Sequence, residues 1–257
     1  MQPNVMVLRA AGSNCDQETK FAFEQVGANA DLVHINRLLE GSVLLDNYQI
    51  LAIPGGFTYG DDISAGKILA NQIRYQLAEA VQKFHNDGKL ILGICNGFQV
   101  LVKAGLLPAV DLDAEPQVTL TFNDSGTFED RWVHLNVNKG RCVFTQNLPS
   151  RVYFPVAHAE GKFVPRNSEI LQKLKDNNQI VFQYTTADGS SSEYPDNPNG
   201  SVENIAGISD PTGRVLGLMP HPERHIDFIQ HPHWTRIPKR EQGDGLALFQ
   251  NAVTFFE

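Results

Sequence analysis

A cysteine at a tight turn is the residue of this sequence best placed to act as a nucleophile. Cys95 follows the apolar run 90–94, which has the length of a buried strand, and precedes a short helical pattern. Glycines at positions 93 and 97 permit a turn sharp enough to expose the side chain between them. The dipole of the following helix stabilises a thiolate, and the N–H of Asn96, which opens that helix, is free to bind an oxyanion. The alternative interpretation is a small buried hydrophobic residue, as most free cysteines are.

A base that can serve this thiol is found far downstream in the chain. His221 and Glu223 lie two positions apart, and prolines at positions 220 and 222 flank the histidine. The prolines exclude a helix, so we expect an extended segment in which both side chains point to the same side. Cysteine, histidine and glutamate would then serve as nucleophile, base and the group that orients the base. The competing interpretation is a solvated pair in a turn.

The elements that position these residues alternate between strands and helices. Short apolar runs predict four strands, at residues 5–8, 32–35, 50–53 and 90–94. Apolar residues spaced three or four apart predict a helix over residues 69–84. Strands joined by helices form a parallel, doubly wound sheet, so we expect an α/β fold with a mostly parallel sheet. Ligands bind beyond the carboxyl ends of such strands, where Gly55, Gly56 and Cys95 lie.

The second half of the chain has a different pattern. Further short strands are predicted at residues 118–122, 132–137, 152–157, 180–184, 205–209 and 215–219. The turn sequence 123–126 separates the first two, so this region should form a partly antiparallel extension of the fold. Residues 187–204 and 225–242 are polar and rich in breakers, which predicts loops. An amphipathic helix is expected to close the chain at 245–256.

Composition and charge exclude several classes of protein. The chain has 257 residues, of which 42% are hydrophobic and 19% charged, as in an ordinary globular protein, and no apolar run approaches the length of a membrane span. The net charge of −8 argues against nucleic acid or an anionic membrane as a partner. Cys15, Cys95 and Cys142 show no metal-binding spacing, and we expect a structural role for Cys15. No signal segment is recognisable, so we expect a reducing compartment, the cytoplasm.

Three segments of the sequence match, in order, the motifs of a known family. They are Pro54-Gly-Gly-Phe57, Gly93-Ile-Cys-Asn-Gly-Phe-Gln99 and Pro220-His-Pro-Glu223. With these motifs the chain resembles the class I (triad) glutamine amidotransferases. Within that family it is most similar to the stand-alone glutaminase subunits of phosphoribosylformylglycinamidine synthases, through residues 12–16, 55–61, 125–132 and 155–163. The resemblance implies a flavodoxin-like fold and a single domain over residues 1–257 that hydrolyses glutamine.

The resemblance also implies a role for each matching residue. Cys95 would attack the carboxamide carbon of glutamine, and His221 would protonate the departing ammonia and then activate water. Glu223 would orient His221, while the N–H groups of Gly56 and Asn96 would form the oxyanion hole. The residues implied in glutamine binding are Gly55, Gln99, Ser125, Gly126 and Phe128. For Gln99 the alternative is an amide on the helix surface.

Cofactors and partners are expected to lie outside this chain. Residues 60–68 are not a phosphate-binding loop, because five residues instead of four separate the two glycines and Ile68 stands where a hydroxyl must meet magnesium. The resemblance implies that ATP and Mg²⁺ are bound by a large synthase subunit, and that a small accessory subunit completes the complex. His225, His231 and His233 lack the spacing of metal ligands, so we expect no metal there and interpret them as a solvated segment or part of a partner surface.

Two other functions are compatible with these residues. The same scaffold can carry a self-sufficient cysteine hydrolase, such as a peptidase or a γ-glutamyl hydrolase, or a catalytically silent regulatory protein. The intact Cys95, His221 and Glu223 argue against the silent protein. The segments shared with the synthase subunits argue against the hydrolase.

Overall fold

The fold is built on a nine-stranded sheet, with a separate two-stranded sheet beside it. The computed structural model describes residues 2–190 and 192–257. The strands found in these ranges are β1 (Asn4–Arg9), β2 (Asn29–His34), β3 (Ile50–Ile53), β4 (Leu90–Ile94), β5 (Val118–Thr121), β6 (Glu129–Val137), β7 (Arg151–His158), β8 (Lys162–Pro165), β9 (Ile180–Thr185), β10 (Ile205–Ser209) and β11 (Val215–Leu218).

One half of the large sheet is parallel. Strands β2, β1, β3, β4 and β11 lie side by side in this order, and each neighbouring pair runs in the same direction. Every residue of β3, β4 and β11 is buried, as in parallel strands whose two faces are both covered, and this explains their continuous apolar runs. The predicted α/β fold with a doubly wound parallel sheet is confirmed.

The other half of the large sheet is antiparallel. Strands β10, β9, β6 and β7 follow β11 in this order, all with antiparallel pairing. The predicted antiparallel extension is therefore confirmed, but the turn at 123–126 does not close a hairpin, because β5 pairs with β8. The side chain of Asn123 instead binds the backbone carbonyl of His158 at 2.8 Å and the backbone N–H of Gly161 at 3.0 Å.

Most of the helices pack on the parallel half of the large sheet. Those found in the described ranges are α1 (Asp16–Gln25), α2 (Ile35–Leu39), α3 (Lys67–Gln76), α4 (Ala78–Asn86), α5 (Asn96–Ala104), α6 (Ser168–Asp176) and α7 (Leu246–Thr254). The prediction of one helix over 69–84 is wrong, because Leu77 leaves the helical conformation at φ −122° and ψ 9° and separates α3 from α4. Ile35, predicted to end a strand, begins α2, where the side chain of His34 accepts a hydrogen bond from the N–H of Asn36. None of the helices in these ranges is long and apolar enough to cross a membrane.

The two predicted loops contain no long element. The described part of 187–204 includes one 3₁₀ turn at Val202–Asn204, and Ser191 lies outside the described residues. Residues 225–242 include two such turns, at Phe228–Gln230 and Trp234–Arg236. Both predictions of loops are confirmed.

The order of the parallel strands brings three sequence motifs to one edge of the sheet. Strands β3, β4 and β11 run in the same direction, and β4 lies between the other two. Gly55 follows the carboxyl end of β3, Cys95 that of β4, and His221 that of β11. Because the carboxyl ends of parallel strands meet at one edge, the three motifs converge there.

Candidate active site

Cys95 occupies the turn between β4 and α5 in a strained conformation. Its φ of 51° and ψ of −106° lie outside the regions that most residues adopt, as at many functional sites. The turn depends on Gly97, because a Cβ at that position would lie 1.9 Å from the carbonyl oxygen of Ile53. The thiol of Cys95 is 3.6 Å from the carbonyl oxygen of Ala157, and the residue is only 5% exposed.

His221 and Glu223 form a buried, hydrogen-bonded pair. Nδ1 of His221 lies 2.6 Å from Oε1 of Glu223, and both residues are almost fully buried. The prediction of an extended segment is wrong, because Pro222–Arg224 is a short 3₁₀ turn. The pair meets because the turn brings the carboxylate back towards the imidazole. Within the described residues, Nε2 of His221 and Oε2 of Glu223 have no hydrogen-bond partner.

Cys95 and His221 lie beside each other, with Gly55 between them. A Cβ added to Gly55 would be 2.7 Å from Cε1 of His221 and 3.4 Å from Cβ of Cys95. Burial alone would lower the pKa of His221, but the charges of Glu223 and Cys95 outweigh burial and raise that pKa well above its usual value. A protonated imidazole beside a cysteine favours the thiolate. The structure thus brings together the three residues predicted as a catalytic triad.

Two backbone N–H groups beside Cys95 have no protein acceptor within the described part of the chain. Gly56 faces Ser13 across an isolated antiparallel bridge. In this bridge the N–H of Phe57 donates to the carbonyl of Gly12 at 2.9 Å, whereas the N–H of Gly56 makes no backbone hydrogen bond. The N–H of Asn96 is the first of α5 and likewise lacks a partner. These are the two donors predicted for an oxyanion hole.

Gln99 is buried, which excludes the surface amide considered as its alternative role. Its Nε2 donates to the carbonyl of Glu160 at 2.5 Å, and its Oε1 accepts from Nδ2 of Asn96 at 2.9 Å. Oδ1 of Asn96 accepts in turn from the hydroxyl of Thr58 at 2.7 Å. The amide of Gln99 therefore ties helix α5 to the segment after β7.

The segment 125–128 is exposed and lies at the outer rim of the site. Phe128 is half exposed, and its ring centroid is 6.3 Å from that of Phe57, which directly follows Gly56. Ser125 and Gly126 are exposed, and Ser125 borders a surface cavity of about 670 Å³. The predicted glutamine-binding residues therefore fall in two groups, with Gly55 and Gln99 buried and the others at the rim.

Cys15 is a site residue for which the sequence predicted only a structural role. Its thiol, the imidazole of His221 and the carboxylate of Glu223 have polar atoms that all lie within 4.8 Å of one another. Nη2 of Arg224 lies 3.1 Å from the sulfur of Cys15. The only signal in the sequence was the position of Cys15 in the loop that follows β1.

Two histidines outside the proposed triad are buried and not solvated. His158 is buried, and burial together with the nearby charge of His221 lowers its pKa to about 3, so it is neutral at pH 7. His225 is buried as well, with Nδ1 2.7 Å from the carbonyl of Tyr153 and its ring 5.2 Å from that of Trp132. The interpretation of residues 225–233 as a solvated segment is therefore wrong for His225.

Comparison with known proteins finds relatives that match over nearly the full chain. A protein named "phosphoribosylformylglycinamidine synthase subunit PurQ" from Dehalococcoides mccartyi is 50% identical over 250 residues, covering 96% of this chain and 95% of the relative. One of the same name from Methanococcus maripaludis is 44% identical over 270 residues, covering 100% of this chain and 99% of the relative.

Solved structures support the same grouping. A chain in the structure of PurLQS from Thermotoga maritima is 31% identical, with a TM-score of 0.77 and complete coverage of both chains. A glutamine amidotransferase from the same organism, 16% identical with a TM-score of 0.53, covers 91% of this chain and 81% of its own and shares the fold alone. Residues 2–256 match the sequence model of the CobB/CobQ-like glutamine amidotransferase domain. The chain belongs to this glutamine amidotransferase family.

Proposed function

We propose that this chain is the glutaminase subunit of a phosphoribosylformylglycinamidine synthase. It hydrolyses L-glutamine and supplies ammonia for the conversion of formylglycinamide ribonucleotide to formylglycinamidine ribonucleotide. The observation that carries the proposal is the contact of Cys95 with the His221–Glu223 pair in a chain that matches subunits of that name over its full length. We place the protein in the cytoplasm and treat residues 1–257 as one domain.

The first half of the reaction forms a thioester and releases ammonia. The thiolate of Cys95 attacks the carboxamide carbon of glutamine, and the N–H groups of Gly56 and Asn96 stabilise the oxyanion that develops. As the C–N bond breaks, the imidazolium of His221 donates its proton to the leaving nitrogen. Glu223 stabilises the imidazolium and fixes the ring through Nδ1. Ammonia leaves, and the γ-glutamyl group remains on Cys95.

The second half returns the enzyme to its starting state. Neutral His221 takes a proton from water as the water attacks the thioester carbon. The same two N–H groups stabilise the second oxyanion. Collapse of this intermediate breaks the C–S bond, which releases glutamate and restores the thiolate of Cys95 beside a protonated His221.

The remaining predicted residues shape the substrate pocket or contact the substrate in this proposal. Gly55 permits the close contact of His221 with Cys95, because any side chain there would meet the imidazole. Gln99 supports the wall of the pocket through its bond to the carbonyl of Glu160. Ser125, Gly126 and Phe128 contact the amino acid end of glutamine at the rim.

The ammonia acceptor belongs to other chains of the complex. The relatives are named as subunits of the synthase, and the Thermotoga maritima structure is described as PurLQS. We propose a large synthase subunit, which binds ATP and Mg²⁺, and a small accessory subunit as partners. Neither nucleic acid nor a membrane is part of this function.

Glutamine hydrolysis measured with and without the synthase subunits tests the proposal. We expect weak activity from the isolated chain and strong activation by the partner subunits, with both activities lost in Cys95→Ala. Cys142→Ala is the matched control, because Cys142 is buried elsewhere and should leave hydrolysis intact. High activity on γ-glutamyl peptides without any partner would favour the hydrolase and overturn the proposal.

A further inference from the structure

Three buried side chains behind the proposed nucleophile form a set of metal ligands. The thiol of Cys15, the imidazole of His221 and the carboxylate of Glu223 come from two distant parts of the chain, and their ligand atoms all lie within 4.8 Å of one another. Thiolate, imidazole and carboxylate are the donors that Zn²⁺ accepts in proteins. We propose that Cys15, His221 and Glu223 form an inhibitory binding site for Zn²⁺.

The distances require only a small adjustment. Bonds of about 2.0 to 2.3 Å in a tetrahedral site place neighbouring ligand atoms about 3.5 Å apart. Ligand atoms now up to 4.8 Å apart would close by about an ångström, whereas the 2.6 Å hydrogen bond between Nδ1 of His221 and Oε1 of Glu223 would open to admit the metal. A water molecule would provide the fourth ligand, as in zinc sites with three protein ligands.

Two atoms of this cluster lack partners in the described structure. Nε2 of His221 and Oε2 of Glu223 are both buried without a hydrogen bond. A buried polar atom without a partner costs free energy, and a bound cation would satisfy it. In the proposed reaction Nε2 of His221 transfers protons, which explains why it has no partner in the resting structure. Oε2 of Glu223 has no role in that reaction and is therefore available as a ligand atom.

The charges around the cluster also suit a divalent cation. Burial raises the pKa of the Cys15 thiol, so Zn²⁺ binding has to release its proton. The resulting thiolate and the carboxylate of Glu223 together neutralise Zn²⁺, so the loaded site carries no net charge. Outside the three ligands, Arg224 donates to the sulfur of Cys15 at 3.1 Å and pairs with Glu18 at 3.3 Å. Arg224 can therefore stabilise the thiolate as a ligand while its own charge is balanced by Glu18.

Bound Zn²⁺ would stop the proposed reaction without touching the sulfur of Cys95. His221 cannot exchange protons with glutamine or water while it and its orienting carboxylate ligate a metal. Inhibition should therefore be reversible by a chelator. This consequence for activity rests on the proposed function, whereas metal binding itself does not.

Metal binding is tested with Co²⁺ as a spectroscopic probe in the full-length Cys95→Ala chain. We expect one Co²⁺ per chain with a near-ultraviolet thiolate-to-cobalt charge-transfer band, displaced by Zn²⁺. The band should disappear in Cys15→Ala/Cys95→Ala and in Cys15→Ser/Cys95→Ala, and persist in Cys95→Ala/Cys142→Ala. Loss of the band in Cys95→Ala alone would show that Cys95 is the thiolate ligand and overturn the proposal.

Inhibition is tested by titrating glutaminase activity with Zn²⁺. In Cys15→Ala the concentration for half-inhibition should rise at least tenfold, whereas Cys142→Ala should match the wild type. Equal inhibition of Cys15→Ala and wild type would overturn the inhibitory site. If cobalt binds through Cys15 but the chain and its complex hydrolyse no glutamine, the proposed function fails while the metal site stands.

Discussion

At the scale of single residues, Gly55 is where one added methyl group should most disturb the site. A Cβ there would lie 2.7 Å from Cε1 of His221 and would push the imidazole away from Cys95. A displacement of about 1 Å costs on the order of a hundredfold in rate, so we expect Gly55→Ala to lower kcat by about that factor with little effect on folding. Steady-state kinetics and thermal unfolding measure the two effects.

The control for this substitution is Gly140→Ala. Gly140 lies outside the site, and a Cβ there would meet the carbonyl oxygen of Asn178 at 3.3 Å, so the crowding is modest and far from His221. We expect this variant to keep its kcat. A Gly55→Ala enzyme as active as Gly140→Ala would show that the imidazole has room to move.

His158 should make the folded state sensitive to acid. Its pKa is lowered to about 3 by burial and by the charge of His221, whereas an unfolded histidine binds a proton near pH 6.5. Below that pH the unfolded state holds more protons than the folded state, so stability falls as the pH falls. When the pH is lowered from 7 to about 5.5, the free energy of unfolding should fall in both proteins. The fall should be about 1 kcal/mol smaller in His158→Gln than in the wild type.

Urea unfolding at the two pH values measures this difference. The exposed His233 provides the control, because His233→Gln should show the same pH dependence as the wild type. Equal losses for His158→Gln and the wild type would mean that His158 takes up a proton in the folded state above pH 5.5, which its burial argues against.

The clustering of Cys95, His221 and Glu223 could be predicted from the sequence, whereas the position of Cys15 beside them could not. The motifs around Cys95 and His221 are short local patterns of glycine and proline with a direct conformational meaning. The contact of Cys15 with His221 depends instead on the sheet order, which places the end of β1 beside that of β3. Periodicity along the chain does not specify that order, and so Cys15 was assigned a structural role.

At the scale of elements, the loop between Phe57 and Gly66 is held in a strained conformation by helix α5. Three of its residues other than glycine have positive φ: Tyr59, Asp61 and Ile63. Nζ of Lys103, at the end of α5, donates to the carbonyl of Ala65 and lies 3.8 Å from the carboxylate of Glu160. Such strain persists only where surrounding contacts impose it.

Lys103→Met should release this loop and displace the N–H of Gly56. Because that N–H would act on the oxyanion and not on bound glutamine, we expect kcat to fall about tenfold with little change in KM. The variant should also lose stability, since the largely buried carboxylate of Glu160 would keep its charge without the ammonium group of Lys103 beside it. Kinetics and urea unfolding measure the two changes separately.

The double variant Lys103→Met/Glu160→Gln separates positioning from stability. Removing both charges should recover most of the lost stability but not the lost kcat, because the link from Lys103 to Ala65 is still missing. The exposed Lys83, which pairs with Asp87, provides the control, and Lys83→Met should change neither quantity. Recovery of kcat in the double variant would show that Lys103 acts only through global stability.

Helices and strands could be predicted where the hydrophobic pattern of neighbouring residues alone determines them. Strands β3, β4 and β10 have the predicted bounds, because each is a short, mostly apolar segment between breakers. The helical period continued through Leu77, so the break between α3 and α4 left no trace in the hydrophobic pattern. The pairing of β5 with β8 was likewise hidden, because it depends on where Asn123 binds and not on the turn beside it.

At the scale of the whole molecule, three of the exposed apolar side chains lie on segments that border the site, on a chain with a net charge of −8. Phe57 and Phe128 are in contact there, and Ile63 lies on the same loop as Phe57 with 86% of its surface exposed. Ile63 also has φ 72°, a strained conformation for a β-branched residue. An exposed and strained isoleucine contributes nothing to the isolated fold, which suits a surface that another chain covers.

We therefore expect Ile63→Asn to weaken activation by the synthase subunits while leaving the basal glutaminase activity and the stability of the isolated chain largely intact. Asparagine tolerates positive φ, so the loop keeps its shape. Burying an isoleucine side chain contributes about 1.5 kcal/mol or more, so the synthase concentration for half-activation should rise about tenfold. Leu44→Asn is the control, because Leu44 is also exposed but precedes the amino end of β3, at the opposite edge of the sheet. Equal half-activation of both variants would place the partner surface away from this rim.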